Sequence, residues 1–518
     1  MTGDAPARDI ASQIETIFHP RAIAVVGASA NPDTPGYDYL HSLQAFGYRG
    51  RLYAVNPKGG EMLGLPVYRS LRETPGEVDY VICCIPAEHV LELVRECGER
   101  GVKALQLFTG RFSETGRPDA AGLERQVLAA AREAGVRIIG PNCMGLLYPG
   151  QGISFRADMS REAGSVGFLS QSGNLLFELT HYGAPRGLRF SKAVSYGNAL
   201  DLDESDFLQY FAEDAETRVV GAYLEGLRDG RRFLAALRHA AGRKPVVVLK
   251  GGRTGAGGRA AASHTAALAG PSAVWQAAIA QAGALAVDTV EDLIDMLIAF
   301  DRLQGGARAN AIRPYAGHRL GMVGAGGGPS TRSVRFAPGA AQDERPRLGM
   351  VGAGGGRSVL TADLCEELGL AVPPLPEDVE RKVAERAPGL AGWVTNPVDQ
   401  SILAGSGLGG GQVLEWLDES PQIDLLLANM NEAWAFGRPN ADAILSRVAE
   451  RFIQVAAQTR KPFAVVLGPS DYAEEERRRL VSQVRDRLAA AKVALYPSVE
   501  RAVRALARFT AYWERRQA

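Results

Sequence analysis

The sequence predicts an α/β fold built from three doubly wound parallel-sheet domains. Two observations carry that prediction. Short apolar runs recur along the chain, each closed by glycine, proline or asparagine, and each is followed by a segment whose apolar residues have helical spacing. Runs that are apolar throughout and bounded by turn residues suit strands covered on both faces by helices, as in a parallel sheet. The length of 518 residues also leaves room for several domains.

The elements follow in order. In the first domain, residues 1–150, the strand runs are AIAVVGAS, RLYAVNP, DYVICCIP, KALQLFTG and VRIIGPN, with helical patterns such as EHVLELVRECGER between them. The second domain, 160–302, has SVGFLSQSG, FSKAVSYGN, RVVGAYLEG, KPVVVLKGG and ALAVDTV. The third, 347–513, has RLGMVGAGGG, DLLLANMN, PFAVVLGP and VALYP. Residues 303–346 read as an irregular linker. They hold a first copy of RLGMVGAGGG at 319–328, identical to the one at 347–356. A good helix, SVLTADLCEELGL, follows the second copy, whereas PSTRSVRFAPGAAQDERP follows the first. The second copy is therefore the expected strand and glycine turn.

Composition narrows the function. Lys+Arg and Asp+Glu both number 58, so the formal net charge is zero, which argues against a general nucleic-acid or anionic-membrane binder. The five cysteines, Cys83, Cys84, Cys97, Cys143 and Cys365, show no CxxC and no metal-binding spacing. That pattern reads as reduced thiols in a cytoplasmic protein with no bound metal. No apolar core of a signal peptide and no run long enough to span a membrane is seen.

Ligands of doubly wound sheets bind at the carboxyl ends of the strands. In the first domain Gly27, Ser29, Asn56, Lys58, Pro86, Asn142 and Cys143 fall there. The turn VVGASANPDTPG lacks the GxGxxG of a dinucleotide fold, and strand two ends in Asn-Pro-Lys where an acid would hold a ribose. An NAD-dependent oxidoreductase is therefore disfavoured, and a lysine at that edge suits a phosphate. Cys143 has no visible base beside it and reads as a buried small residue.

In the second domain the turn Ser170-Gln171-Ser172-Gly173 opens a helix, where free N–H groups form an anion site. A serine there also serves simply as a cap. Glu225 closes the strand before the next turn. The long glycine-rich loop after KPVVVLK contains His264, set among small residues in AASHTAALAG. An accessible histidine, a carboxylate that fixes its tautomer and a helix-terminus anion site are the parts needed for phosphoryl transfer through phosphohistidine.

The order VVGAS (25–29), AVNPK (54–58), GPNCMG (140–145), SQSG (170–173), YLEG (223–226), ASHTAALAG (262–270) and NPVD (396–399) resembles the α subunit of ADP-forming acyl-CoA synthetases, in the succinyl-CoA synthetase superfamily. The resemblance implies a Rossmann-like CoA-binding domain followed by two flavodoxin-like ligase domains. It implies that His264 is phosphorylated, that Glu225 steadies it, and that helices starting at SQSG and at Gly354-Gly355-Gly356 face the phosphate. The implied reaction interconverts acyl-CoA, ADP and phosphate with a small carboxylic acid, CoA and ATP. No P-loop and no ATP-grasp-like segment is recognisable. The implied partner is an ATP-grasp β subunit binding Mg-ATP or Mg-ADP, in an α2β2 assembly. The chain departs from the family at Ala266, where glycine is usual, and at DTPGYDY, where a lysine is common. Ala266 and the duplicated linker leave a second reading open: a CoA- or acyl-CoA-binding regulatory paralogue without catalysis.

Overall fold

The computed structural model describes residues 10–254, 272–303, 345–353, 355–399, 402–403, 406–430, 432, 435–436, 438, 440–468 and 472–517. Within them three sheets form, each mostly parallel and flanked by helices, and every strand run read from the sequence is present.

The first sheet is seven-stranded in the order β3-β4-β2-β1-β5-β6-β7. Its strands are β1 (Ala22–Val26), β2 (Arg51–Val55), β3 (Gly60–Met62), β4 (Leu65–Tyr68), β5 (Tyr80–Cys83), β6 (Ala104–Leu107) and β7 (Arg137–Ile139). All pairs are parallel except the β3–β4 hairpin. β1, β5 and β6 are buried along their whole length, as runs covered on both faces should be. Helix α1 (Ile10–Phe18) precedes β1, and helix α2 (Pro35–Phe46) carries the chain from β1 to β2. The chain then returns across β1 to β5 and reaches β6 and β7 by α3 (Val90–Glu99) and α4 (Pro118–Ala134). The strand order therefore reverses between β1 and β5, and a crevice opens there at the carboxyl edge.

The second sheet is six-stranded, β13-β12-β11-β9-β10-β8. It contains β8 (Gly145–Leu147), β9 (Val166–Ser170), β10 (Phe190–Ser195), β11 (Val219–Leu224), β12 (Val246–Lys250) and β13 (Leu285–Val287). β8 pairs antiparallel with β10, and the other pairs are parallel. Helices α5 (Gly173–Gly183), α6 (Glu204–Glu213), α7 (Gly230–Arg243), α8 (Ser272–Gln281) and α9 (Val290–Arg302) connect them. α5, α6 and α7 start on side-chain caps from Ser172, Asp203 and Asp229. The order reverses between β9 and β11. Because β8 lies within the GPNCMG stretch and its continuation, the sheet reaches back into residues that follow the last strand of the first sheet. Both sheets lie in one compact unit, Met1–Asp301.

The third sheet lies in the unit Arg302–Ala518 and runs β15-β14-β16-β17-β18, all parallel. The second copy of the repeat supplies β14 (Leu348–Ala353), which leads into α10 (Gly355–Glu367). The other strands are β15 (Val398–Asp399), β16 (Leu425–Asn429), β17 (Phe463–Val466) and β18 (Ala494–Tyr496). Asn396 of the NPVD stretch is buried: its amide oxygen accepts from Met350 N at 2.9 Å and its nitrogen donates to Leu348 O at 2.8 Å. It stands in for a strand neighbour along β14. The first copy of the repeat lies outside the described residues.

Candidate active site

The carboxyl edge of the first sheet is assembled by close backbone packing. Gly27 leaves β1 with φ +96°, and a Cβ on it would lie 2.8 Å from Cys84 O. A Cβ on Gly36, in the first turn of α2, would lie 2.1 Å from Gly27 O. Two glycines at that spacing thus let the helix start press on the turn, the role that glycines of a dinucleotide fingerprint fill by another spacing. Asn56 at the end of β2 donates from Nδ2 to Ala28 O at 2.7 Å, and its Oδ1 accepts from Lys58 N at 3.0 Å. Asn56 therefore fixes the turn, while the exposed Lys58 projects from it. Ser29 accepts from Asn31 N at 3.2 Å. Pro86 is exposed in the loop after β5. Thr109 after β6 donates to Ile85 O at 2.6 Å, and Asn142 N donates to Thr109 O at 3.0 Å, so the exits of β5, β6 and β7 are laced together. Asn142 is half-buried with φ +56°. Cys143 is buried, its thiol 3.4 Å from Leu107 O, and burial pushes that thiol up, away from the thiolate a nucleophile requires.

Two residues that the sequence did not single out hold the GPNCMG stretch. Gln106, in mid-β6, accepts from Tyr80 at 2.8 Å and donates to Tyr39 Oη at 3.1 Å and Met144 O at 3.0 Å. Tyr39 of α2 also donates to Met144 O, at 3.1 Å. Met144 then crosses to the second sheet. Its N–H donates to Ser195 Oγ at 3.1 Å, and a Cβ on Gly173 would fall 2.4 Å from Met144 Cγ. The turn after β10 packs equally closely: a Cβ on Gly197 would lie 2.2 Å from Pro141 O. The edge that gathers Gly27, Ser29, Asn56, Lys58, Pro86, Asn142 and Cys143 therefore abuts the edge that gathers Ser170, Gln171, Ser172, Gly173 and Glu225.

At that second edge Ser172 caps α5, its Oγ accepting from Leu175 N at 3.3 Å. Ser170 is fully buried; its Oγ donates to Ser172 O at 2.6 Å and accepts from Ser172 N at 3.1 Å. The serines thus shape the helix start and aim its first amides outward. Gln171 does something else. It is buried; its Oε1 accepts from Glu225 N and, at 3.0 Å, from Gly226 N, and its Nε2 donates to Gly226 O at 3.1 Å. Its whole amide is spent on the turn after β11, across the strand-order reversal. Glu225 itself is buried, at 5% exposure. Tyr223, two residues earlier, has its hydroxyl pushed up by burial and by the charge of Glu225.

His264 and Gly354 lie outside the described residues. Gly355 and Gly356 form the first turn of α10. Among the described residues no group of three or more His, Cys, Asp or Glu side chains could hold a metal ion, and no helix is long and apolar enough to cross a membrane.

Comparison with known proteins adds independent findings. Residues 21–149 match the family described as "CoA binding domain", and residues 163–300 match "Succinyl-CoA ligase like flavodoxin domain". The chain is 33% identical over 416 residues to the Pyrococcus furiosus acetate–CoA ligase [ADP-forming] II subunit alpha, covering 80% of this chain and 82% of that one. It is 34% identical over 418 residues to acetate–CoA ligase [ADP-forming] I of Archaeoglobus fulgidus, of whose length it spans 54%. The solved "dinucleotide forming Acetyl-coenzyme A synthetase 1 in complex with phosphate and ADP" of Ca. Korarchaeum cryptofilum is 29% identical, with a TM-score of 0.74, covering 97% of this chain and 98% of that one.

Proposed function

On the premise that the chain belongs to the ADP-forming acetate–CoA ligase family, to which its 33% identity across 82% of a family α subunit assigns it, we propose that it is the CoA-binding, phosphohistidine-bearing subunit of an ADP-forming acid–CoA ligase. The reaction interconverts acyl-CoA, ADP and phosphate with a carboxylic acid, CoA and ATP. One observation supports this reading above the others. The carboxyl edges of the first two sheets abut through Met144 and Gly173, so a thioester formed at one edge lies beside the anion-binding helix start of the other.

In this reading Gly27, Ser29, Asn56, Lys58, Pro86, Asn142 and Cys143 line the CoA site, with Lys58 opposite a phosphate and Asn56 and Cys143 shaping the walls. The outward amides at the start of α5 stabilise phosphoryl charge. Glu225 holds one nitrogen of His264 so that the other attacks phosphorus. By the family resemblance, Gly354, Gly355 and Gly356 are further candidates for binding phosphate. Adenine nucleotide with magnesium is bound by an ATP-grasp partner chain, in an α2β2 assembly in the cytoplasm. The regulatory reading is not favoured, because relatives at 33% and 36% identity are ADP-forming acetate–CoA ligase α subunits.

Co-expression with an ATP-grasp chain, followed by incubation with labelled ATP and magnesium, tests the reading. The expected result is acid-labile phosphate on this chain that His264→Ala abolishes. A folded, CoA-binding complex that takes up no label would overturn the catalytic reading.

A further inference from the structure

Lys250 is the last residue of β12, and it is 4% exposed. A buried ammonium needs a reason, because desolvation of the charge disfavours it. Here its donors go to main-chain oxygens at the ends of two adjacent strands. Nζ donates to Glu225 O at 2.8 Å, after β11, and to Gly251 O, after β12. The ammonium also sits 4.9 Å from the centre of the Trp275 ring on α8. A buried cation therefore knots the turn that presents Glu225 to the start of the next loop. Nothing in the roles assigned above uses it.

We propose that Lys250 is a positioning residue for Glu225: its ammonium fixes the Glu225 turn from the β12 side, as the Gln171 amide fixes it from the β9 side. This rests on the reading of Glu225 as the carboxylate that orients the phosphoryl-accepting histidine.

The groups around Glu225 come from β9, β10 and β11 as well as β12. Tyr223 lies beside it on β11, and Tyr196 approaches from the turn after β10; the hydroxyls of both are pushed up by burial, with the charge of Glu225 contributing to each. From β9 comes the uncharged Gln171 amide. Arg253 lies beyond Lys250 and is paired with Asp288. Lys250 is the buried cation of this set. Burial lowers its affinity for the proton, and Glu225 raises it again.

Three substitutions separate charge from hydrogen bonding. Lys250→Arg keeps both, Lys250→Gln keeps a donor without charge, and Lys250→Met keeps neither. Each is assayed in the assembled enzyme for CoA-dependent turnover across pH, with thermal melting to confirm folding and Glu225→Gln as reference. For Lys250→Gln, whose shorter amide cannot reach both main-chain oxygens, the expected result is at least a tenfold loss of kcat with a KM for CoA within about twofold. Lys250→Arg should restore the parent profile. A folded Lys250→Gln with parental kcat would overturn the proposal. If Lys250→Met fails to fold, the Gln and Arg variants still decide. If Glu225→Gln itself leaves kcat and the profile unchanged, the role of Glu225 falls and this proposal with it. If Glu225→Gln lowers kcat while Lys250→Gln leaves it at the parent value, the Lys250 proposal alone falls.

Discussion

Gln171→Leu should destabilise the first unit far more than its position in a surface-edge turn suggests. Leucine keeps much of the side-chain volume but removes three polar functions at once. Left without partners would be the Glu225 N–H, the Gly226 N–H and the Gly226 carbonyl, all buried. Each orphaned buried group costs about 1–3 kcal/mol, and the two amides share one acceptor, so a total of about 3 kcal/mol follows after local relaxation. For the unit Met1–Asp301 that is a fall in Tm of roughly 5 °C, read by calorimetry of the full chain. Ser172→Ala is the comparison. It removes only the cap on Leu175 N, worth about 1 kcal/mol. A Gln171→Leu protein melting within about 2 °C of the parent would refute the latch geometry. The amide would then be free to bind an anion directly, as the sequence suggested.

Three further outcomes follow from the same structure. Gly36→Ala must part α2 from the β1 turn, since its Cβ would stand 2.1 Å from Gly27 O. CoA affinity by calorimetric titration should fall at least about tenfold, with a stability loss of about 1–3 kcal/mol. Gly230→Ala, whose Cβ would meet nothing within 4 Å, should leave both unchanged. Lys192→Met removes a 1%-exposed ammonium held by Asp214 at 2.8 Å and Glu216 at 2.7 Å, leaving the buried Asp214 uncompensated. Urea unfolding should show a loss of about 3–5 kcal/mol, partly recovered by adding Asp214→Asn; no loss would mean the network is not formed. Burial, with the charge of Asp203 beside it, pushes the Glu204 carboxyl up to about 8 from an ordinary 4.5. Between those values the folded state keeps a proton that the unfolded state releases, so stability falls as pH rises through the window. Glu204→Gln should therefore gain on the parent between pH 5 and pH 8, by up to about 1.4 kcal/mol per pH unit; parallel stability curves would contradict the assignment.

Long apolar strands were legible because both faces of a parallel sheet demand the same chemistry, and runs such as AIAVV and VVVLK have no other comfortable home. The short elements were not. β15 has two residues, too few for any period. β8 hides in a stretch dominated by its turns. The β3–β4 hairpin turns through Leu63 and Gly64, both with positive φ, and a leucine in that conformation gives none of the usual Asn-Gly signal. The site shows the same division. Glycine turns and helix starts can be placed from spacing, so the turn at Gly27 and the helix start at Ser172 were legible. Gln106, Tyr39 and Lys250 act through hydrogen bonds whose partners are distant in sequence, and inside strands or helices they read only as interruptions of an apolar pattern. Gln171 was read as a phosphate contact because a turn sequence fixes where a residue sits but not which way its side chain points.

The antiparallel pairing of β8 with β10 has an engineering consequence. A cut near residue 150 would leave the second sheet without its outer strand and expose the backbone edge of β10, a template for unwanted pairing with other chains. The same cut would free Met144 from Ser195 and Gly173. The two matched regions are thus not interchangeable cassettes. Swapping the first for that of a relative moves β8 together with the pocket, and should succeed only when the donor's strand pairs with β10 and its counterpart of Met144 seats against Ser195 and Gly173.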